Sequence, residues 1–180
     1  MSDNQPGKGT KRQPRENSRT KEYVFSTVIR WVIVLAAFAV ILLNLFTNVL
    51  QVVRYNGQGM EPNLHNRQTL VLLQTQKVKD GDIIAFYYNN QVLVRRVICH
   101  GGNQIIIEEN GAVSVNGNML DEPYLKNPSF GQCNLSFPYY VPVNHVFVMG
   151  DYREIAMDSR LKEIGSIPTE RIIGKVLFAF

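Results

Sequence analysis

Residues 83–98 read IIAFYYNNQVLVRRVI, and this stretch decides the class of fold. Two runs rich in β-branched and aromatic residues, Ile83–Tyr88 and Val92–Ile98, flank the pair Asn89-Asn90. Asparagine tolerates the positive φ angles that a two-residue hairpin turn requires. The stretch therefore predicts two antiparallel strands joined by a tight turn.

The chain beyond residue 55 repeats this pattern of short apolar runs and turn signals. Asn110-Gly111 separates two such runs, and Asn116-Gly117 marks another turn. Because no helical periodicity and no repeat follows residue 55, the sequence predicts a mainly β domain, either a folded sheet or a barrel. Its other predicted strands are Thr69–Leu73, Ile105–Ile107, Ala112–Val115, Val146–Met149 and Ile172–Phe178.

An uncharged run from Trp31 to Val53 precedes the predicted β domain. As a helix it would be about 35 Å long, which is enough to cross the hydrocarbon core of a bilayer. A buried core helix is one alternative, because the distal end of the run is more polar. A cleaved signal peptide is another, but Ala37-Phe38-Ala39, which fits a cleavage site, lies in the middle of the run. An uncleaved membrane anchor is the preferred interpretation.

The net charge of +4 on the 180 residues lies in the N-terminal tail. Residues 1–30 carry seven Lys and Arg against three Asp and Glu, whereas residues 31–180 carry twelve of each. A nucleic-acid site would place its basic patch in the folded part, so nucleic acid is excluded as a partner. Positive charge before the apolar run predicts a single-pass protein of the cell membrane, with a cytoplasmic N terminus and an extracytoplasmic C-terminal domain.

The predicted organisation has three regions, and none of them contains a predicted metal or cofactor site. They are a disordered basic cytoplasmic tail (1–26), a transmembrane helix (27–53) and the β domain (54–180). Two cysteines, Cys99 and Cys133, cannot form a disulfide framework. An oxidising compartment permits one disulfide between them, but two free thiols are the alternative, and spacing does not decide.

Several segments resemble, in order, those of the type I signal peptidase family. Residues 57–64 (GQGMEPNL) resemble the nucleophile segment, whose core is Ser-Met-x-Pro. Residues 81–86 resemble the substrate-pairing strand, and residues 94–98 resemble the strand that carries the general base. The other similar segments are 115–124, 147–151 with 158–160, and 173–176. The resemblance covers about residues 27–180 and implies a signal-peptidase-like β domain behind a membrane anchor.

The chain departs from this family at each chemical position. In the family a neutral lysine takes the proton of a serine, which then attacks a peptide carbonyl. The serine position is Gly59, which has no side chain, and the lysine position is Arg95, whose guanidinium stays protonated. The serine that supports the lysine falls at Ala156, and the usual Asn after Gly-Asp is Tyr152. The resemblance therefore implies that no catalytic residue is intact.

The resemblance also implies a substrate groove and a retained scaffold. The expected substrate-binding residues are Gly57, Met60, Asp82, Ile83, Ile84, Ala85 and Phe86. The expected scaffold residues are Pro62, Arg96, Gly150, Asp151, Asp158 and Arg160. Arg95 would add a fixed positive charge to the groove, paired either with Glu61 or with a carboxylate on a ligand. No substitute dyad is predicted at the remaining candidates, which are Cys99, His100, His145 and Ser159.

The resemblance implies a catalytically inactive membrane protein that binds exported polypeptides as an added strand. Family members without the dyad occur in Gram-positive pilus clusters and are needed for pilus polymerisation. The expected partners are therefore exported or pilin-like polypeptides, a sortase or an active signal peptidase, and membrane lipid. The alternative is an active signal peptidase I that works through unidentified residues or with an active paralogue. A remnant without a specific function is the third interpretation.

Overall fold

The computed structural model describes residues 17–180, and its first element is the long helix α1 (Asn17–Val49). Its segment Tyr23–Val49 is long and apolar enough to cross a membrane, and side chains such as Trp31 and Phe38 are exposed. The predicted disorder of residues 1–26 is wrong for residues 17–26, which are helical, and its earlier part lies outside the described residues. The helix extends from the apolar run towards the N terminus because the residues before the run include good helix formers such as Arg and Lys.

The helix ends four residues before the predicted end of the membrane span. Residues 50–53 belong to strand β1 (Leu50–Arg54), which pairs antiparallel with β2 (Thr69–Leu73). The register places Leu50 opposite Leu73 and Arg54 opposite Thr69. Hydrophobicity does not distinguish a helix from a strand in so short a segment, and here pairing with β2 decides the conformation.

A seven-stranded antiparallel sheet forms the larger layer of the β domain. Besides β1 and β2, this sheet contains β3 (Ile83–Tyr88), β4 (Gln91–His100), β9 (His145–Met149), β10 (Ile167–Pro168) and β11 (Ile172–Ala179). The order across the sheet is β1-β2-β11-β3-β4-β9-β10. A short 3-10 turn, Thr169–Arg171, links β10 to β11. The C-terminal strand therefore lies between two N-terminal strands, a pairing of high sequence separation.

A four-stranded sheet forms the smaller layer. It contains β5 (Gln104–Ile107), β6 (Val113–Val115), β7 (Asn118–Met119) and β8 (Tyr139–Tyr140) in the order β7-β6-β5-β8. The predicted turns are confirmed, because Asn89 and Asn90 have φ angles of 46° and 60°, and Asn116 and Gly117 have 51° and 81°. The predicted mainly β fold is therefore confirmed.

Three buried apolar clusters form the core of the β domain, and one of them joins the two sheets. One cluster joins Phe147 and Met149 of the larger sheet to Ile105 and Val113 of the smaller sheet. Another fastens residues 55–64, which follow β1, to the larger sheet through three fully or almost fully buried side chains: Tyr55, Met60 and Leu64. That second cluster fixes the loop on which the predicted nucleophile position lies.

Candidate functional site

The three altered chemical positions meet at one place in the β domain. Gly59 lies in the loop after β1, Arg95 lies on β4, and Ala156 lies in the loop after β9. A Cβ atom built on Gly59 would lie 3.2 Å from Arg95 Cζ and Nη2, and 3.4 Å from Ala156 Cβ. The fold therefore brings together three residues that are far apart in sequence.

Main-chain contacts hold the loop at Gly59 in place. The Tyr152 N–H donates to the Gly59 carbonyl at 3.0 Å, and the Met60 N–H donates to the Tyr55 hydroxyl at 3.2 Å. A Cβ on Gly150 would lie 2.4 Å from the Gly59 oxygen and 2.3 Å from Ala156 Cβ. Gly150 is thus required by close approach of two backbone segments, which gives this scaffold residue a physical role.

Arg95 is buried beside Gly59, with a relative exposure of 6%. Its Nε donates to the Met157 carbonyl at 2.8 Å, and its Nη1 donates to the Val94 carbonyl at 2.6 Å. Burial lowers the pKa of Arg95, while the negative charge of Asp158 opposes that change. A guanidinium nevertheless keeps its proton in proteins, so Arg95 is a buried cation and not a base.

Of the two expected partners of Arg95, a ligand carboxylate and Glu61, the internal partner Glu61 does not form an ion pair with it. Among the described residues no carboxylate lies within 4.0 Å of the Arg95 guanidinium. Glu61 instead lines a separate cavity of about 210 Å³ together with Lys126, Tyr152 and Glu154. Glu61 is partly exposed at this cavity.

Four of the predicted scaffold residues form two pairs, each fixed by bidentate hydrogen bonds. Arg96 Nε donates to Asp151 Oδ1 at 2.8 Å, and its guanidinium lies 4.0 Å from the centre of the Tyr124 ring. Arg160 Nε and Nη2 each donate to Asp158 at 2.8 Å, and both side chains are completely buried. Asp158 also accepts the Gly150 N–H at 2.9 Å, which ties this pair to the loop beside Gly59.

A third buried pair, Arg153 with Glu122, was missed by sequence reasoning. Arg153 Nη2 lies 2.5 Å from Glu122 Oε1, and Arg153 Nε donates to the Gly150 carbonyl at 3.1 Å. The Tyr124 hydroxyl also donates to Glu122 at 2.6 Å. Burial and the Glu122 carboxylate raise the pKa of Tyr124. Nothing in the sequence pairs residues 31 positions apart, so only the fold identifies this contact.

The predicted substrate-pairing strand lies inside the sheet. On one side β3 pairs with β4 along its length, and on the other Ile84, Ala85 and Phe86 face Lys175, Gly174 and Ile172 of β11. These three side chains are completely buried. The prediction that this strand adds a substrate strand is therefore wrong, because neighbouring strands already use its main-chain donors and acceptors.

The other predicted substrate residues also have structural contacts. Asp82 forms an ion pair with Lys175 at 3.0 Å and accepts the Lys79 N–H. Ile83 packs against the cluster that contains Met60, whose side chain is completely buried. Gly57 has a φ of +155°, and its N–H donates to Asn66 Oδ1 at 3.1 Å. Pro62 also lines the cavity beside Glu61.

Next to Arg95 lies an edge of β4 that no described strand covers. Strand β9 pairs with β4 only from Arg96 onwards, so no described strand covers residues 91–95 on the side away from β3. The Val97 N–H donates towards β3, to the Asp82 carbonyl. Because main-chain groups alternate in direction along a strand, those of Val92 and Val94 point to the uncovered side. Sequence reasoning missed this edge.

The candidate substitutes for the lost dyad have other partners. Ser159 Oγ accepts the Val148 N–H at 3.0 Å and is buried. Burial raises the pKa of Cys99 to about 12, so its reactive thiolate is scarce at neutral pH. The His100 ring contacts Asp80, and the His145 ring contacts a main-chain carbonyl. Among the described residues, none of these four side chains hydrogen-bonds to Gly59, Arg95 or Ala156. Both Cys99 and Cys133 are free thiols.

Comparisons with known proteins agree with this architecture. The family model described as signal peptidase, peptidase S26, matches residues 28–180. Signal peptidase I S of Bacillus subtilis (strain 168) is 32% identical over 168 residues, which cover 86% of this chain and 89% of that protein. Signal peptidase IB of Staphylococcus aureus (strain COL) is 28% identical over 173 residues, which cover 85% and 89% respectively.

A solved structure is also similar. A signal peptidase I from Enterococcus faecalis V583 is 29% identical, with a TM-score of 0.48, and the match covers 57% of this chain and 97% of that chain. The family model spans residues 28–180, and the Bacillus subtilis protein is 32% identical over 86% of the chain. These two findings show that the chain belongs to the signal peptidase family, peptidase S26.

Proposed function

We propose that this chain is a signal peptidase family member that does not hydrolyse peptides and instead binds exported polypeptides. The observation that carries the proposal is the contact of positions 59, 95 and 156, where a glycine, an arginine and an alanine meet. Positions 59, 95 and 156 supply no hydroxyl to attack a carbonyl and no neutral amine to take its proton, and the hydroxyl of the neighbouring Tyr55 accepts the Met60 N–H. Removal of both members of a catalytic unit typically costs a factor of about 10⁴–10⁶ in rate.

Binding in this proposal occurs at the free edge of β4. Val92 and Val94 direct main-chain groups away from β3 to a side that no described strand covers, next to Gly59 and Arg95, and there the Val94 carbonyl accepts a hydrogen bond from Arg95 Nη1. An extended polypeptide can add there as a strand, through main-chain hydrogen bonds that need no catalytic side chain. This edge replaces the buried strand β3 as the proposed substrate-pairing element.

The membrane anchor supplies the setting for such binding. Helix α1 carries the membrane-length apolar segment, and the sequence before it is rich in Lys and Arg. That charge supports an N terminus in the cytoplasm and a β domain outside. Polypeptides that leave the membrane would meet the β domain as extended chains. The proposed role is assistance in surface-protein or pilus assembly, beside a sortase or an active signal peptidase.

Two measurements on the full chain in detergent test this function. The first follows a signal-peptide substrate by mass spectrometry, and no cleavage is expected. The second measures binding of a fluorescent peptide of about ten residues, the upper length of an ordinary strand. N-methylation of every second peptide amide removes the donors that face β4, so binding should be lost.

A matched peptide and a matched variant control the second measurement. N-methylation of the intervening amides, which point away from β4, should leave binding intact. Val92→Pro removes one edge N–H and should weaken binding, whereas Val92→Thr keeps it and should not. Equal effects of the two methylation patterns would exclude strand addition.

A cellular comparison separates the proposed role from the alternative. Deletion of the gene should reduce surface-protein or pilus assembly and leave signal-peptide processing unchanged. Cleavage of the substrate by the purified unmodified chain, free of host peptidase, would instead establish the active-enzyme alternative.

A further inference from the structure

Arg95 is an unusual group to find beside the proposed peptide-binding edge of β4, because its charge has no ion-pair partner among the described residues. The residue has a relative exposure of 6%, and its guanidinium donates to two neutral carbonyls, those of Val94 and Met157. Buried charges in proteins are ordinarily paired with an opposite charge, since desolvation alone is costly.

The surrounding buried charges do not balance. Arg96, Arg153 and Arg160 each have their own carboxylate, from Asp151, Glu122 and Asp158 respectively. With Arg95 included, these fully or largely buried side chains number four arginines and three carboxylates. The other polar side chain that faces Arg95 is the Tyr55 hydroxyl, and burial raises the pKa of Tyr55, so it stays neutral. Among these seven described side chains one positive charge, that of Arg95, is therefore in excess.

The position of that charge connects it to the free edge of β4. Arg95 Nη1 donates to the Val94 carbonyl, and that carbonyl faces the uncovered side of the strand. Arg95 Nη2 is directed at Gly59, 3.2 Å from the place where a Cβ would be. The guanidinium therefore already donates a hydrogen bond to the Val94 carbonyl, which is the acceptor that an added strand would use.

We infer that Arg95 recognises a carboxylate on the bound polypeptide, so that the edge of β4 selects an extended segment carrying an acidic group. This inference rests on the proposed function and names its ligand class. On binding, a peptide N–H takes the Val94 carbonyl and Arg95 Nη1 turns to the peptide carboxylate. Every hydrogen bond that is lost is replaced, and the excess charge is neutralised.

The carboxylate can belong to an Asp or Glu side chain or to the C terminus of a polypeptide. Four peptides distinguish the two sources. They differ in the acidic residue and in whether the C terminus is an amide or a free carboxylate, and their sequence is otherwise identical. One carries a central Glu and a C-terminal amide, and a second has Gln in place of Glu. A third moves the Glu by one residue, and a fourth has Gln with a free C-terminal carboxylate.

Affinities of these peptides for the full chain in detergent test the inference. The central Glu peptide should bind about 10–100-fold more tightly than its Gln twin, as expected for a charge-assisted hydrogen bond. Moving the Glu by one residue should abolish the advantage, because successive side chains of a strand point to opposite faces. If the ligand is a C-terminal carboxylate, only the fourth peptide gains affinity.

Variants assign the effect to Arg95. Arg95→Met should reduce the Glu advantage to less than about threefold, whereas Arg171→Met, which removes an exposed charge, should preserve it. The unfolding midpoint of each variant is measured alongside, and the peptide comparison on the unmodified chain does not depend on any variant folding. Equal affinity for all four peptides overturns the carboxylate inference and leaves strand binding standing. Failure of every peptide to bind overturns the proposed function itself.

Discussion

Restoring a serine at position 59 tests the packing at the site and the loss of catalysis together. Gly59 is not among the glycines with positive φ, so an L side chain causes no backbone strain there. Its Cβ would nevertheless lie 3.2 Å from Arg95 Cζ, closer than an ordinary van der Waals contact. We expect Gly59→Ser alone to destabilise the protein by about 1–3 kcal/mol through overpacking.

Replacing Arg95 by lysine should remove that penalty. Lysine ends in a single ammonium group and lacks the planar guanidinium that Gly59 faces. In the Arg95→Lys background, the same Gly59→Ser change should therefore cost less than about 1 kcal/mol, a coupling of about 1–2 kcal/mol. The assay is reversible denaturant unfolding of the four proteins of the cycle. Equal costs of Gly59→Ser in both backgrounds would refute the contact between these residues.

Catalysis should follow the same cycle. Neither single variant should cleave a signal-peptide substrate, because one lacks a base and the other lacks a nucleophile. The double variant should cleave it measurably, and Ala156→Ser should improve the rate by placing a hydroxyl near the lysine. Burial lowers the pKa of a lysine, and only its neutral form accepts a proton, so the rate should rise with pH. A triple variant that folds and does not cleave would show that the scaffold is no longer competent.

Three further predictions concern topology, the buried thiol and the buried ion pairs. Protease added to intact protoplasts should degrade the chain beyond Val53 and spare an epitope placed before Arg30; protection of the C-terminal domain would reverse the orientation. Because the folded state raises the pKa of Cys99 from 9.0 to about 12, it binds more protons than the unfolded state between these values, and its contribution to stability should fall as pH rises through that window. Cys99→Ala should remove this part of the pH dependence, and an unchanged slope in alkaline unfolding curves would contradict it. Glu122→Gln leaves Arg153 buried without its carboxylate and should cost about 3–5 kcal/mol of unfolding free energy, whereas the exposed Glu109→Gln should cost less than about 0.5 kcal/mol. Similar losses in these two variants would argue against a stabilising Arg153–Glu122 pair.

Local sequence was sufficient for most of the strands and turns. Thr69–Leu73 and Ile83–Tyr88 form strands with the predicted bounds, and Asn89-Asn90 forms the predicted turn. These signals act over a few residues, through β-branched side chains and positive φ angles, so the strands and turns can be predicted without knowledge of the tertiary structure. The short strands β7, β8 and β10 were missed, because segments of two residues carry no usable periodicity.

The sequence by itself determined the apolar anchor segment, the mainly β class and the absence of a serine and a lysine at positions 59 and 95. Only the tertiary structure decided what surrounds those positions. It placed β11 against β3, which excludes the predicted substrate strand, and it left the edge of β4 uncovered beside Arg95. Strand order and ion pairing join residues that are distant along the chain, and several partners of similar chemistry satisfy the local pattern equally well. The choice among them depends on which arrangement buries the apolar faces and pairs the buried charges at once, and that property belongs to the whole fold.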